Sequence, residues 1–297
     1  MPRRRSEILM PRLAALAARA RIDRSARGQA AGQPGTAPAA RPLPKPGEDA
    51  RAGSVPDGSP AFSIATWNIH SCVGIDARFA PERIATAIRG LDVDVIGLQE
   101  VGWHHRGEVG IDQFAYLEQS TAYKAIPGPT KHSRDAHYGN ALLTRLPVLE
   151  VRTLDLSLPM REPRGGIAAV LEAAGRPVRV LVAHLGLDPW ERNAQVTRVL
   201  EEAALYPDMP TIFMGDLNEW RTKAPRLRRL DERFEDCAAP RSFHARLPTL
   251  RLDRIFVSGE LHLVSFEVVR NALTRRASDH LPVRATVALK PPGEPAA

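Results

Sequence analysis

The chain has 297 residues, 43% hydrophobic and 25% charged, enough to bury a large core. No run approaches the ~20 apolar residues that span a bilayer, and the N-terminal arginines lead into no apolar stretch with a cleavage site, so a cytoplasmic protein is expected rather than a secreted or helix-anchored one. Cys72 and Cys237, too few for a disulfide framework and without CxxC spacing, read as reduced thiols.

The formal charge of +7 is unevenly placed. Arg3, Arg4, Arg5, Arg12, Arg19, Arg21, Arg24, Arg27, Arg41, Lys45 and Arg51 fall in a segment otherwise rich in Ala, Gly and Pro, which buries too little apolar surface to offset its ordering entropy. Residues 1–60 are therefore expected to be a disordered basic tail, with a short helix over Ile8 to Ala20. Such a tail either stays solvated or touches an anionic membrane or nucleic acid. Without it most of the basic excess disappears, so charge alone does not argue for a nucleic-acid substrate. The domain proper is expected over 61–290, followed by a flexible tail over 291–297.

Regular structure begins at Phe62, where Phe62 to Ile69 alternates apolar with small or polar residues as a half-buried strand does. Pro81 suits the first turn of a helix running to about Arg89. Val93 to Leu98 reads as a buried strand ending in Gln99-Glu100, Asp112 to Ser120 as a helix, and Ala141 to Thr144 as a buried strand. Ile167 to Ala173 and Val178 to Ala183 flank a tight turn and read as a hairpin. Trp190 to Leu205 carries Val196, Val199, Leu200 and Ala203 on one helical face. Thr211 to Met214, Leu252 to Val257, Leu261 to Val269 and Pro282 to Leu289 complete a strand-rich C-terminal third. Strands joined partly by hairpins and partly by helices imply an α/β architecture of mixed sheets with helices outside.

Polar residues follow these apolar runs closely. Asn68, Glu100, His184 and Asp216 each stand where a predicted strand ends, and active sites are assembled at strand ends. Glu100 places a carboxylate at the core edge, where ionisation is costly unless a cation or donors compensate; it suits either Mg²⁺ or a salt bridge. In Gly215-Asp216-Leu217-Asn218 the glycine permits close backbone approach, and extended chain would project Asp216 and Asn218 to one side. There a carboxylate can orient and deprotonate water while the amide donates to developing charge; an Asx-turn is the alternative. Asp253, inside an apolar strand, needs a partner, and His280 is the one assigned to it, an Asp–His pair that fixes the tautomer.

Thr66-Trp67-Asn68, Leu98-Gln99-Glu100-Val101, Gly215-Asp216-Leu217-Asn218, Leu252-Asp253-Arg254 and Ser278-Asp279-His280-Leu281-Pro282 occur in the order of the signature blocks of the endonuclease/exonuclease/phosphatase superfamily, the deoxyribonuclease-I-like fold, which this chain resembles from about Phe62 to Leu289. The resemblance implies a four-layer sandwich of two mixed, mainly antiparallel sheets face to face with helices outside. It implies Mg²⁺, or Mn²⁺ in its place, at Glu100 with Asn68 and Asp279, Asp216 as the water-activating base, Asn218 and His184 on the phosphate, and His280, oriented by Asp253, stabilising the transition state. Tyr138 to Arg145, Glu162 to Gly165, and His184-Leu185-Gly186-Leu187 with Glu191, Arg192 and Gln195 resemble a bacterial subgroup, which narrows ancestry more than substrate; Arg164, beside two glycines, is either a bidentate donor to a phosphate or a surface arginine, and Asn140 is a further candidate substrate contact. Nucleases of this fold often support the first histidine with a Glu ahead of the strand containing Ala141; here Tyr138 lies near that place, leaving Asp135 or backbone for the task.

The activity these residues imply is Mg²⁺-dependent hydrolysis of a phosphate ester, above all a phosphodiester, by a monomer. A phospholipid or inositol-phosphate substrate is the alternative to a nucleic acid, and a silent binding module is the reading from another class. His104, His105, Arg106, Lys131, His132, Arg134 and His137 lie in predicted loops that would rim the cleft and suit any polyanion, from nucleic acid to a phospholipid headgroup or a small phosphodiester.

Overall fold

Two sheets organise the residues that the computed structural model describes, which are 49–55, 59–104, 110–133 and 136–290, without the side chains of 103–104, 131–133 and 136–137. The predicted helix over Ile8 to Ala20, the rest of 1–48, and 291–297 lie outside the described residues. The strands are β1 (Ala61–Asn68), β2 (Val95–His104), β3 (Ile111–Asp112), β4 (Lys124–Ser133), β5 (Ala136–Thr144), β6 (Val148–Asp155), β7 (Gly165–Ala173), β8 (Arg176–His184), β9 (Thr211–Asp216), β10 (Asp236–Ala238), β11 (Asp253–Val257), β12 (Leu261–Val268) and β13 (Val283–Leu289). The helices are α1 (Pro81–Leu91), α2 (Gln113–Ser120), α3 (Pro189–Ala204), α4 (Pro225–Arg233) and α5 (Thr274–Ala277).

The first sheet has the order β12-β13-β1-β2-β5-β4, with β3 added on β2, and the second the order β10-β11-β9-β8-β7-β6. β1 runs parallel to β2 and β8 to β9, while the other pairs are antiparallel, so both sheets are mixed as the resemblance implied.

Side-chain alternation builds the layers. Phe62 and Ile64 of β1 join Val178, Val180 and Val182 of β8 and Ile212 and Met214 of β9 in a core between the sheets. Ala65 and Trp67, on the opposite face of β1, pack with Ile84 and Ile88 of α1 and Leu117 of α2. Leu181, Phe213 and Phe256 pack outward against Val196 and Val199 of α3 and Leu227 and Leu230 of α4. Three apolar layers make a helix–sheet–sheet–helix sandwich. Among the described residues no helix is long and apolar enough to cross a membrane.

The helices start as their sequences direct: Pro occupies the first turn of α1, α3 and α4, Asp112 caps α2 by accepting from Phe114 and Ala115, and Asp188 caps α3 by accepting from Trp190. Besides the short β3, β10 and α5, three longer elements escape the sequence reading. β4 contains Pro127 and Pro129, tolerated because it is an edge strand. β6, also an edge, is mostly exposed or half-buried, and α4 is mostly charged. The domain also gains residues ahead of the expected start at 61. Arg51 exchanges backbone hydrogen bonds with Phe266 and pairs with Asp236 at 2.8 Å, and Asp49 pairs with Arg251 at 2.9 Å.

Candidate active site

The inter-sheet face of each central strand ends in a polar group. His184 continues the Val178-Val180-Val182 face of β8 and Asp216 the Ile212-Met214 face of β9, and the parallel register sets His184 beside Asp216. Asp253 opens β11 directly across from Asp216. Asn68 ends β1 in the other sheet and reaches over: its Nδ2 donates to Asp216 Oδ2 at 3.1 Å and to Glu100 Oε1 at 2.8 Å. One cleft edge thus collects groups from both sheets.

Glu100 arrives there by a bulge that sequence alternation does not reveal. Leu98 pairs with Ala141 but Val101 with Gly139, so β2 spends three residues where β5 spends two, and Glu100 takes a left-handed φ of 58°. Strict alternation would have sent Glu100 toward the α1 side, with Val101 turned inward. Asn218 also differs from expectation. It is not extended but left-handed, with φ 51°, and its N–H donates to Asp216 Oδ1 at 2.9 Å. The Asx-turn and the juxtaposition of carboxylate and amide are one arrangement. Gly215 behaves as expected, since a side chain there would collide with the Ala183 carbonyl on β8.

His280 Nδ1 donates to Asp253 Oδ2 at 2.9 Å, and Ser242 Oγ donates to the same carboxylate oxygen. His280 Nε2 lies 3.6 Å from Asp216 Oδ2. Burial disfavours the charged ring, but Asp253 and then Asp216 outweigh it and raise the pKa to about 10. His280 is therefore an imidazolium held between two carboxylates. The loop carrying it is fixed by Trp67 Nε1 donating to His280 O at 3.0 Å and Ser278 Oγ to Asn68 O at 2.7 Å.

His184 is the opposite case. Its Nδ1 faces Arg164 Nη1 at 3.0 Å. A guanidinium only donates, so Nδ1 accepts and the ring proton sits on Nε2, 3.5 Å from Asp216 Oδ2. Burial pushes the ring pKa down to about 3, with Arg164 and His280 adding to burial and Asp216 opposing it. Asp135 lies outside the described residues; among those described, the side chain that supports the ring is Arg164, itself paired with Glu162 at 2.9 Å. Arg164 is buried, and its guanidinium meets His184 and Glu162. Asn140 is likewise committed: Nδ2 donates to Gly165 O at 2.8 Å, tying the sheets together, while Oδ1 is buried without a partner.

Asn218 Nδ2 donates to Leu185 O at 2.9 Å and stands 3.0 Å from His184 Nε2.

For a cation, the fitting group is Glu100. Burial raises its pKa, opposed by the Asn68 hydrogen bond and the His70 charge and reinforced by Asp279 and Asp216, and among the described residues it forms no ion pair with Lys or Arg. A carboxylate with acidic neighbours and no cation suits a hard divalent ion. Asn68 turns its NH₂ to both carboxylates and its Oδ1 to the His70 N–H at 3.0 Å, so it spaces the acidic groups. Asp279 stands near His70, with 4.0 Å between Oδ1 and Nδ1. Asp216, Asp253 and His280 also offer ligand atoms within 4.8 Å of one another, but the Asp253–His280 bond makes that set a hydrogen-bonded dyad aimed at Asp216. The side chains of His104, His105, Arg106, Lys131, His132, Arg134 and His137 lie outside the described residues.

Comparison with known proteins places this geometry. A model of the endonuclease/exonuclease/phosphatase family matches residues 65–280. The Escherichia coli K12 protein YbhP is 30% identical over 246 residues, 77% of this chain and 97% of YbhP. Among solved structures, an endonuclease/exonuclease/phosphatase from Beutenbergia cavernae aligns with a TM-score of 0.66 at 23% identity, covering 78% of this chain and 72% of that one. The human Nocturnin catalytic domain aligns with a TM-score of 0.63 at 20% identity, covering 78% of this chain and 94% of that one.

Proposed function

This chain belongs to the endonuclease/exonuclease/phosphatase family, and from that premise we propose that it is a Mg²⁺-dependent hydrolase that cleaves a phosphodiester with water activated by Asp216. The observation that carries the reading is the convergence on Asp216 Oδ2 of Asn68 Nδ2 at 3.1 Å, His184 Nε2 at 3.5 Å and His280 Nε2 at 3.6 Å.

Each residue then has a task. Asp216, fixed at Oδ1 by the Asn218 N–H, takes the proton of the attacking water at its other oxygen. Asn218 Nδ2 and the neutral His184 Nε2–H, side by side at 3.0 Å, donate to a non-bridging phosphate oxygen. Imidazolium His280 supplies positive charge for the transition state, and Asp253 keeps it protonated and oriented. Glu100, with Asp279 nearby, would hold Mg²⁺, or Mn²⁺ in its place, which when bound supplies Lewis-acid polarisation of the phosphate oxygens. Asn68 keeps Glu100 and Asp216 at a set spacing.

The test is release of nitrophenolate from bis-p-nitrophenyl phosphate with Mg²⁺ and with chelator. Metal-dependent turnover abolished by Asp216→Asn is expected. No metal-dependent turnover in the folded protein would favour a binding module that has kept the fold without the chemistry.

A further inference from the structure

Exposed apolar side chains cluster beside the cleft. Met160 is fully exposed at 103%, Leu187 at 68%, Trp190 at 50% and Trp220 at 48%. Each stands on a segment that leaves the cleft edge of the second sheet: Met160 on the loop before Arg164, Leu187 on the loop after His184, Trp190 in the first turn of α3, and Trp220 two residues after Asn218. These segments are bound to one another. Arg161 lies over the Trp190 ring at 5.1 Å and pairs with Asp188 at 3.4 Å. Arg192 lies over the Trp220 ring at 5.3 Å and donates to Leu187 O at 2.6 Å. The four apolar side chains are therefore held on one rigid rim.

Two exposed cations, Arg221 and Lys223, adjoin Trp220 and form no ion pair among the described residues. The acids of the rim are neutralised, Asp188 by Arg161 and Glu162 by Arg164. We propose that this rim seats the domain on a lipid surface bearing anionic headgroups, Met160, Leu187 and the two tryptophans entering the headgroup layer and Arg221 and Lys223 meeting its charge. A single-stranded nucleic acid would use the tryptophans as stacking platforms, but each has one face covered by its arginine, and Met160 and Leu187 offer no ring to stack on. Protruding aliphatic tips beside unpaired cations are the features of a surface that enters an interface. The proposal goes beyond the hydrolytic reading and does not depend on it.

The experiment uses the full chain and co-sedimentation with vesicles of phosphatidylcholine alone or mixed with phosphatidylglycerol. Binding to the mixed vesicles is expected, weakened but not abolished by salt. The double variant Met160→Ser/Leu187→Ser should bind about tenfold or more weakly, since each lost apolar contact removes part of a transfer free energy. Its melting temperature and its turnover of bis-p-nitrophenyl phosphate should match the parent, which separates failure of docking from failure of the hydrolytic reading. No vesicle binding by the parent chain would overturn the proposal. So would equal binding by the variant, which would assign attachment to another segment, and so would a variant that loses capture of a single-stranded oligonucleotide while vesicles are ignored.

Discussion

Two imidazoles flank Asp216 at nearly equal distance, His184 at 3.5 Å and His280 at 3.6 Å, yet the molecule makes them different reagents. On the β11–β13 side a buried carboxylate occupies the far nitrogen and the ring is a cation with its pKa raised to about 10. On the β7–β8 side a guanidinium occupies it, burial dominates, and the ring is neutral with its pKa lowered to about 3. Residue type and distance to the reacting group do not assign a role; the partner of the far nitrogen does. A phosphate between the rings would meet a positive charge on one side and a neutral donor on the other.

The largest effects should come from the centre and the charged half. Asp216→Asn and His280→Ala are each expected to lower kcat by ~10²- to 10⁴-fold, the usual worth of a single base or charge stabiliser. Asp253→Asn should cost less, and nothing further once His280 is gone, because it acts through that ring. If the loss in Asp253→Asn/His280→Ala equals the product of the single losses, the pairing is wrong even though both residues matter.

Glu100→Gln should remove most Mg²⁺-dependent turnover while leaving both rings as they are, with part of the activity recovered at excess Mg²⁺. Its carboxylate has acidic neighbours and no Lys or Arg partner among the described residues, so neutralising it keeps the fold and weakens the cation site. Parent-level turnover at ordinary Mg²⁺ would move the metal elsewhere.

Arg164→Gln probes the neutral half. Losing a charge-assisted hydrogen bond of about 1.5–3 kcal/mol corresponds to roughly 10- to 100-fold in rate. If His184 donates in the transition state as proposed, the loss should appear in kcat more than in KM, because the buried Arg164 acts through that ring. A rise in KM alone would make Arg164 a direct substrate contact.

The charged half was legible in the sequence and the neutral half less so, for a physical reason. Asp253 interrupts an apolar strand, and an unpartnered buried carboxylate is costly enough to demand an imidazole, so the pair can be inferred without coordinates. The apolar runs of β8 and β9 lead straight into His184 and Asp216, so both strand ends were readable. Arg164 sits in a loop among glycines, where an arginine is ordinarily solvated, and only the fold turns it inward onto His184. Glu100 was recognised as a carboxylate at a strand end, but the bulge that aims it is a register event between β2 and β5 with no local mark. Edge strands β4 and β6 were missed because their prolines and exposed residues obscure a period of two.

The smallest effect, and the most direct reading of the comparison, is in the titration of the two rings. A ring whose folded pKa is raised contributes stability that is complete below its unfolded value near 6.5 and lost as pH rises through the folded value; His280 should lose its contribution between about pH 6.5 and 10. A ring whose folded pKa is lowered behaves in the reverse sense. The advantage of burying His184 neutral is present above its unfolded value and is lost as pH falls from about 6.5 toward 3. Nitrogen-15 NMR of the imidazoles should show His280 protonated and His184 neutral throughout the neutral range. Asp253→Asn should bring the His280 midpoint down, because Asp253 is the main charge holding it up, although Asp216 still faces its other nitrogen. Arg164→Gln should bring the His184 midpoint up only in part, since burial, which the substitution leaves in place, is the larger cause. If both rings instead titrate together near their ordinary value, the two halves are electrostatically alike and the division of labour between them fails.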